Sequence, residues 1–207
     1  MNNAPSSLIL ASSSPRRNAL LQQIGIDFFV VTPQIHEEVK EGEDPRSAVV
    51  RLALEKAIAV SKRYPLFPVL GADTIVLLGE EIMGKPRDEE EAQRMLERLG
   101  GKEHQVITGV ALVRGGGKYQ LTRAAKTNVK MKSLTKEEIE RYIRSGEPMD
   151  KAGAYAIQGR GALFIERIKG CYTNVVGLPI PTVGKMLKKA GIVWTMDDRR
   201  WTIDDGR

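Results

Sequence analysis

The chain has 207 residues, 42% of them hydrophobic, and its 32 basic and 26 acidic side chains give a formal charge of +6. That is enough apolar material to bury a full core, as one large domain or two lobes sharing a cleft, and no run of about eighteen apolar residues is present to cross a bilayer. A single cysteine, Cys171, excludes an internal disulfide framework; with only His36 and His104 beside it, any bound metal should be hard and oxygen-ligated.

The N-terminus, Met1 to Ser7, lacks the charged-then-apolar layout of a secretory signal, so a soluble, cytoplasmic protein is expected. The positive charge does not mark a nucleic-acid binder. Basic residues are interleaved with acids, as in Arg51, Glu55 and Lys56, and no aromatic stripe accompanies them to stack bases.

In chain order, Leu8 to Ala11 reads as a buried strand. A helix follows from Pro15, which needs no amide hydrogen at the first helical position, with Ser13 or Ser14 as N-cap and Gly25 as the stop. Pro45 to Arg63 reads as a second helix, with Val49, Val50, Leu52, Ala53, Ala57 and Val60 on its apolar face. Val69 to Leu78 is a central strand, turned at Gly79 to Glu81 into a short returning strand. Asp88 to Leu99 is a helix with Asp88 as cap and Glu91 at the capping-box position, ended by Gly100 and Gly101. His104 to Val113 and Tyr119 to Lys132 form a hairpin across Gly115 to Gly117. Thr135 to Arg144 is a capped helix, Ala162 to Ile168 and Tyr172 to Val176 read as strands, and a last helix runs from about Pro181 to Ala190. Strands and helices alternate without regular βαβ pairing, which suggests a mixed sheet. Residues 193–207 read as a polar tail carrying Trp194 and Trp201.

Two glycine motifs are decoys. Gly79, Gly84 and Lys85 have P-loop spacing, but Pro86 stands where a magnesium-binding hydroxyl is required; Gly159 and Gly161 begin a dinucleotide fingerprint whose third glycine position holds Phe164.

Other segments carry chemistry. Ser12, Ser13, Ser14, Pro15, Arg16 and Arg17 lie where a strand hands over to a helix, so free amides, hydroxyls and the helix dipole converge on one point suited to an anion, with two arginines beside it. Asp73, in the middle of an apolar strand, is expensive to bury alone. It is either a structural aspartate at a strand bend, or a paired or metal-bound carboxylate able to activate water. Lys56 and Lys85 could reach into a cleft to offset phosphate charge or be ordinary solvated lysines, and Glu37 and Glu38 could help hold magnesium or manganese or be a common surface pair. Gln158, in the small-residue stretch Asp150 to Phe164, could present its amide to the N3 donor and O4 acceptor of uracil or thymine, provided something pins it.

Five ordered blocks together resemble the Maf family of nucleotide pyrophosphatases: ASSSPRR at Ala11 to Arg17, GADTIV at Gly71 to Val76, GKP at Gly84 to Pro86, TGVAL at Thr108 to Leu112, and DKAGAYAIQGRGALF with NVVGLP. The resemblance implies an α/β fold with an elongated mixed β-sheet, flanking helices and two lobes around a central cleft, in one domain over residues 1–192. It further implies a homodimer, a divalent cation (Mg2+ or Mn2+), and hydrolysis of dTTP or UTP, or of modified pyrimidine nucleotides, to monophosphate and pyrophosphate. Nucleotide sensing in cell division without turnover is the alternative. By the same resemblance Asp73 is the catalytic base and a metal ligand with Glu38; Arg16, Thr74 and Gln158 are substrate-binding residues at the specificity positions, and Ser12, Ser14, Arg17, Lys56 and Lys85 also contact substrate.

Overall fold

The computed structural model describes residues 7–192, so the expected tail, including Trp194 and Trp201, lies outside the described residues. Its elements are β1 (Leu8–Ala11), α1 (Pro15–Gln23), β2 (Phe28–Val30), α2 (Pro45–Arg63), β3 (Val69–Leu78), β4 (Glu81–Met83), α3 (Glu89–Leu99), β5 (Glu103–Arg114), β6 (Tyr119–Met131), α4 (Lys136–Ile143), β7 (Ile165–Lys169), α5 (Tyr172–Val176) and α6 (Ile180–Lys189). The strands form one mixed sheet in the order β2-β1-β3-β5-β6-β7, with β4 paired to β3. The contacts of β1 with β2 and β3 are parallel, and the others are antiparallel. No described helix is long and apolar enough to cross a membrane.

Helix α2 lies directly on one face of the sheet because two strand residues have no side chain there. A Cβ at Gly71 would sit 2.2 Å from the Ala53 carbonyl oxygen, and one at Gly109 2.2 Å from that of Val49. Backbone meets backbone, and Ala53, Ala57 and Val60 close over Ile9, Ala11, Val69, Ala111 and Val113.

The opposite face carries two apolar cores. One packs Leu8, Leu10, Leu70, Ala72, Val110 and Leu112 against α1 and α6 through Leu20, Leu21, Val183 and Leu187. The other packs Val76, Val106, Val129 and Met131 against α3 and α4 through Leu96, Leu99, Ile139 and Tyr142. Between them, in the same side-chain row, lie Thr74 and its register partner Thr108. A polar row therefore separates two apolar halves.

Two expected strands differ from the structure. Tyr172 to Val176 is the short helix α5 despite its β-branched residues, because the turn sinks Asn174 into the polar row, where strand hydrogen bonds are already taken by neighbours. Of Ala162 to Ile168, only Ile165 onward is strand, and Arg160–Phe164 is a 3-10 turn. Strand β2, three residues long, carries too little pattern to be read from sequence. At α3, Asp88 accepts from the Glu91 amide as expected, but the Glu91 carboxylate turns to the Arg87 amide, so the box is not reciprocal.

Candidate active site

Strand β3 is paired along one edge only in part. β1 covers it through Gly71 and β4 from Val76, leaving residues 72–75 without a strand neighbour on that side. The cleft opens at this gap, about 680 Å³ in volume, and both faces of β3 contribute to it through Asp73 and Thr74. Its lining holds five cations, Arg16, Arg17, Lys56, Lys85 and Lys151, against three carboxylates, Glu37, Asp73 and Asp150, a balance that favours an anionic ligand.

On the α2 side, Lys56 is buried and its Nζ donates to Asp73 Oδ1 at 2.7 Å and to Glu37 Oε2 at 2.6 Å. The ammonium offsets the cost of burying Asp73 and holds two acidic groups within reach of one cation. This pair fits magnesium or manganese, which needs one or two protein carboxylates and completes its shell with water and phosphate oxygens. Glu38, expected as the metal ligand, is not in the cleft lining; its carboxylate meets the exposed His36 at 3.1 Å. In an irregular loop, nothing in the sequence says which of two adjacent glutamates turns inward.

At the mouth of α1 the chain does what the serine-proline-arginine run suggests. Pro15 starts the helix and no side chain caps its end. The Ser12 hydroxyl oxygen accepts from the Ser14 amide at 3.1 Å and from Arg17 Nη1 at 3.3 Å, which leaves its proton to donate. Ser14 lines the cavity beside it. Arg16 reaches across to Asp150, 3.5 Å away. Arg17 is a staple: Nε donates to the Gly177 carbonyl at 2.8 Å and Nη2 to Thr74 Oγ1 at 3.0 Å. Burial pulls its guanidinium below the ordinary value, and Asp73 and Glu37 pull it back by charge attraction.

Gln158 and Lys85 are exposed and line the same cavity. The Gly153 amide ties their two loops together by donating to the Gly84 carbonyl at 2.9 Å. Below Gln158 the loop is anchored by two tyrosines. Tyr142 donates to Glu147 at 2.9 Å and accepts from the Ala156 amide, while the Tyr155 hydroxyl sits 2.7 Å from His104 Nε2. Burial alone lowers His104 to about 4, so it is neutral at physiological pH. Glu147 also accepts from the Arg160 and Gly161 amides, which is what the Gly159 and Gly161 motif serves.

Sequence reasoning passed over Thr108, Thr127 and Asn174, all fully buried under Thr74. Isolated threonines in strands are unremarkable; only the hydrogen bonds that gather Thr108 and Thr127 around Asn174 mark them.

A family model described as Maf-like protein matches residues 7–190. The chain belongs to that family. Among its relatives is a dTTP/UTP pyrophosphatase of Symbiobacterium thermophilum, 54% identical over 89% of this chain and 94% of the relative. Another of the same name from Myxococcus xanthus is 48% identical over 93% of this chain and 96% of its own length. Among solved structures, the fold of the Maf-like chain is similar to that of a HAM1 protein from Coxiella burnetii, with a TM-score of 0.53, 15% identity, and coverage of 88% and 98% of the two chains. That likeness concerns fold alone.

Proposed function

We propose that this Maf-like chain hydrolyses dTTP and UTP, with modified pyrimidine nucleotides as further substrates, to the monophosphate and pyrophosphate. The relatives of this name cover almost the whole chain. The single observation that carries the reading is the meeting of Asp73, Lys56 and Glu37 in one cleft with the open N-terminus of α1. The amides of the first helical turn, the free Ser12 proton, Arg16 and Lys85 take the triphosphate. Lys56 holds Asp73 toward the cleft, where its carboxylate accepts a proton from the attacking water. A phosphorus–oxygen bond forms to that water and the bond to pyrophosphate breaks, with Lys85 and Arg16 offsetting the leaving charge.

Asp73 and Glu37 are the residues that would hold a divalent cation, with Glu37 in the place first given to Glu38. Once bound, that ion supplies charge neutralisation of the phosphates and lowers the pKa of water. Gln158 faces the base. We also infer a cytoplasmic homodimer, with the exposed Phe29 and Val30 on the outer edge of β2 as support for a second copy.

The test is a panel of nucleoside triphosphates with magnesium or manganese, scored for pyrophosphate, orthophosphate and monophosphate. Pyrophosphate from dTTP and UTP is expected. Orthophosphate would overturn the reaction type, preference for GTP derivatives the substrate, and binding without turnover would leave a nucleotide sensor.

A further inference from the structure

The chain between β2 and α2, residues 31–44, holds no helix or strand, yet it carries Glu37 into the cleft. Its ends are fixed: the Val31 amide donates to the Leu10 carbonyl at 3.0 Å, and Asp44 caps α2 by accepting from the Ser47 amide at 2.9 Å. Between those ends, among the described residues, every hydrogen bond from the segment to the rest of the protein goes to Lys56 or Arg51. Lys56 takes Glu37 through an ion pair whose carboxylate is 49% exposed, and such a pair orders little by itself. The remaining ties all belong to Arg51.

Its guanidinium faces the loop on one side and the helix on the other. Nε donates to Glu43 Oε1 at 2.7 Å, and Nη2 donates to Glu43 Oε2 and, at 2.9 Å, to the Glu38 carbonyl. Nη1 is spent within α2, donating to Glu55 Oε1 at 3.1 Å. Glu43 is joined back to Lys40, whose amide donates to its carboxylate at 3.2 Å and whose carbonyl accepts from its amide at 3.1 Å, a turn that Gly42 permits at φ +71°. Arg51 thus grips a closed turn and a carbonyl upstream of it in a planar fork that a flexible ammonium does not reproduce. With the Glu38 carbonyl drawn to α2, the Glu38 side chain faces solvent beside His36, and Glu37 meets Lys56 further along the helix.

Resting on the cation site read above, we propose that Arg51 is a positioning residue for that site: it pins the loop at Glu38 and Glu43 so that Glu37, in place of its neighbour, stands beside Asp73. Arg51 is absent from the cleft lining, so it reaches a ligand only through the loop. Charge and geometry make opposite demands here. Removing a cation near the site tightens a divalent ion by charge alone, whereas loosening the loop weakens it.

Mn2+ titrated into the full chain without nucleotide, with the free ion read by electron paramagnetic resonance, tests this apart from turnover. Arg51→Met weakens Mn2+ about tenfold, the low end of what losing an outer partner of a metal ligand costs, and adds nothing once Glu37→Gln is present. Glu43→Ala and Glu55→Ala each remove one carboxylate from the same arginine. The first frees the loop and weakens Mn2+ about fivefold; the second, within α2, changes it by less than about twofold. Far-UV circular dichroism checks folding, and Glu43→Ala, which lies off the helix, decides the question if Arg51→Met does not fold. The inference is overturned if Arg51→Met leaves Mn2+ affinity unchanged or raises it, if Glu55→Ala weakens it as far as Glu43→Ala, if the losses from Arg51→Met and Glu37→Gln add in the double variant, or if Glu37→Gln itself costs no affinity. Pyrophosphate release from UTP is scored separately: the Mn2+ pattern without turnover keeps this inference and sinks the hydrolytic one, and turnover without the pattern does the reverse.

Discussion

Asp73 and Thr74 are neighbours in sequence but belong to different environments, because a strand turns successive side chains to opposite faces. On the α2 face, Asp73 meets charge: one ammonium shared with Glu37, at the edge of a cleft. On the other face, Thr74 meets neutral hydroxyls and carbonyls that lead down to Asn174, between two apolar cores, and takes a hydrogen bond from the Arg17 guanidinium above. The α2 face pairs its carboxylates with an ammonium, while the other face is tied together by hydrogen bonds among Arg17, Thr74, Thr108 and Asn174. The residues proposed for hydrolysis therefore lie on one face of the strand and a hydrogen-bonded polar row on the other.

The largest effect that would test this division is at Asp73. Asp73→Asn keeps the shape and removes the base, so kcat should fall by roughly a hundred- to ten-thousandfold while far-UV circular dichroism is unchanged. Near-normal turnover in a folded variant would move the chemistry off this face. Lys56→Met leaves the buried Asp73 carboxylate, and the half-exposed Glu37 beside it, without their cation. Urea unfolding should show a loss of about 3–5 kcal/mol, and a markedly smaller loss when Asp73→Asn is already present.

His104 sharpens the contrast from outside the cleft. Its folded value of about 4 lies below the ordinary 6.5, so the unfolded chain binds its proton first. Its contribution is complete above pH 6.5 and is lost as pH falls toward 4, on the order of 3 kcal/mol. His104→Gln should therefore lose less stability than the parent between pH 7.5 and pH 4.5 in urea titrations; parallel losses would contradict the assignment. The smallest effects separate the two glutamates. Glu37→Gln should lower kcat/KM about tenfold, whereas Glu38→Gln should change it by less than about twofold, since Glu38 faces solvent beside His36.

Much of this was legible in the chain. The strand at Val69, the helix begun by Pro15 and the helix from Pro45 follow from apolar runs, proline at a helix start and periodicity, which are local. Asp73 was conspicuous because a carboxylate within an apolar strand demands a partner. The partner was not legible, since Lys56 lies on a helix whose contact with the sheet depends on Gly71 and Gly109 lacking side chains. The same holds for Glu37 over Glu38, and for α5, whose β-branched residues suggest a strand until Asn174 is seen filling the polar row.

By itself, then, the sequence determined most of the elements, the anion-seeking helix mouth and the presence of an unusual acid in an apolar strand, because these depend on residues a few positions apart. Tertiary structure alone decided which cation meets that acid, which glutamate turns inward and which polar side chains gather beneath Thr74. Those outcomes consist of hydrogen bonds between residues 17 or more positions apart, which form only when strands, helix and loop pack together.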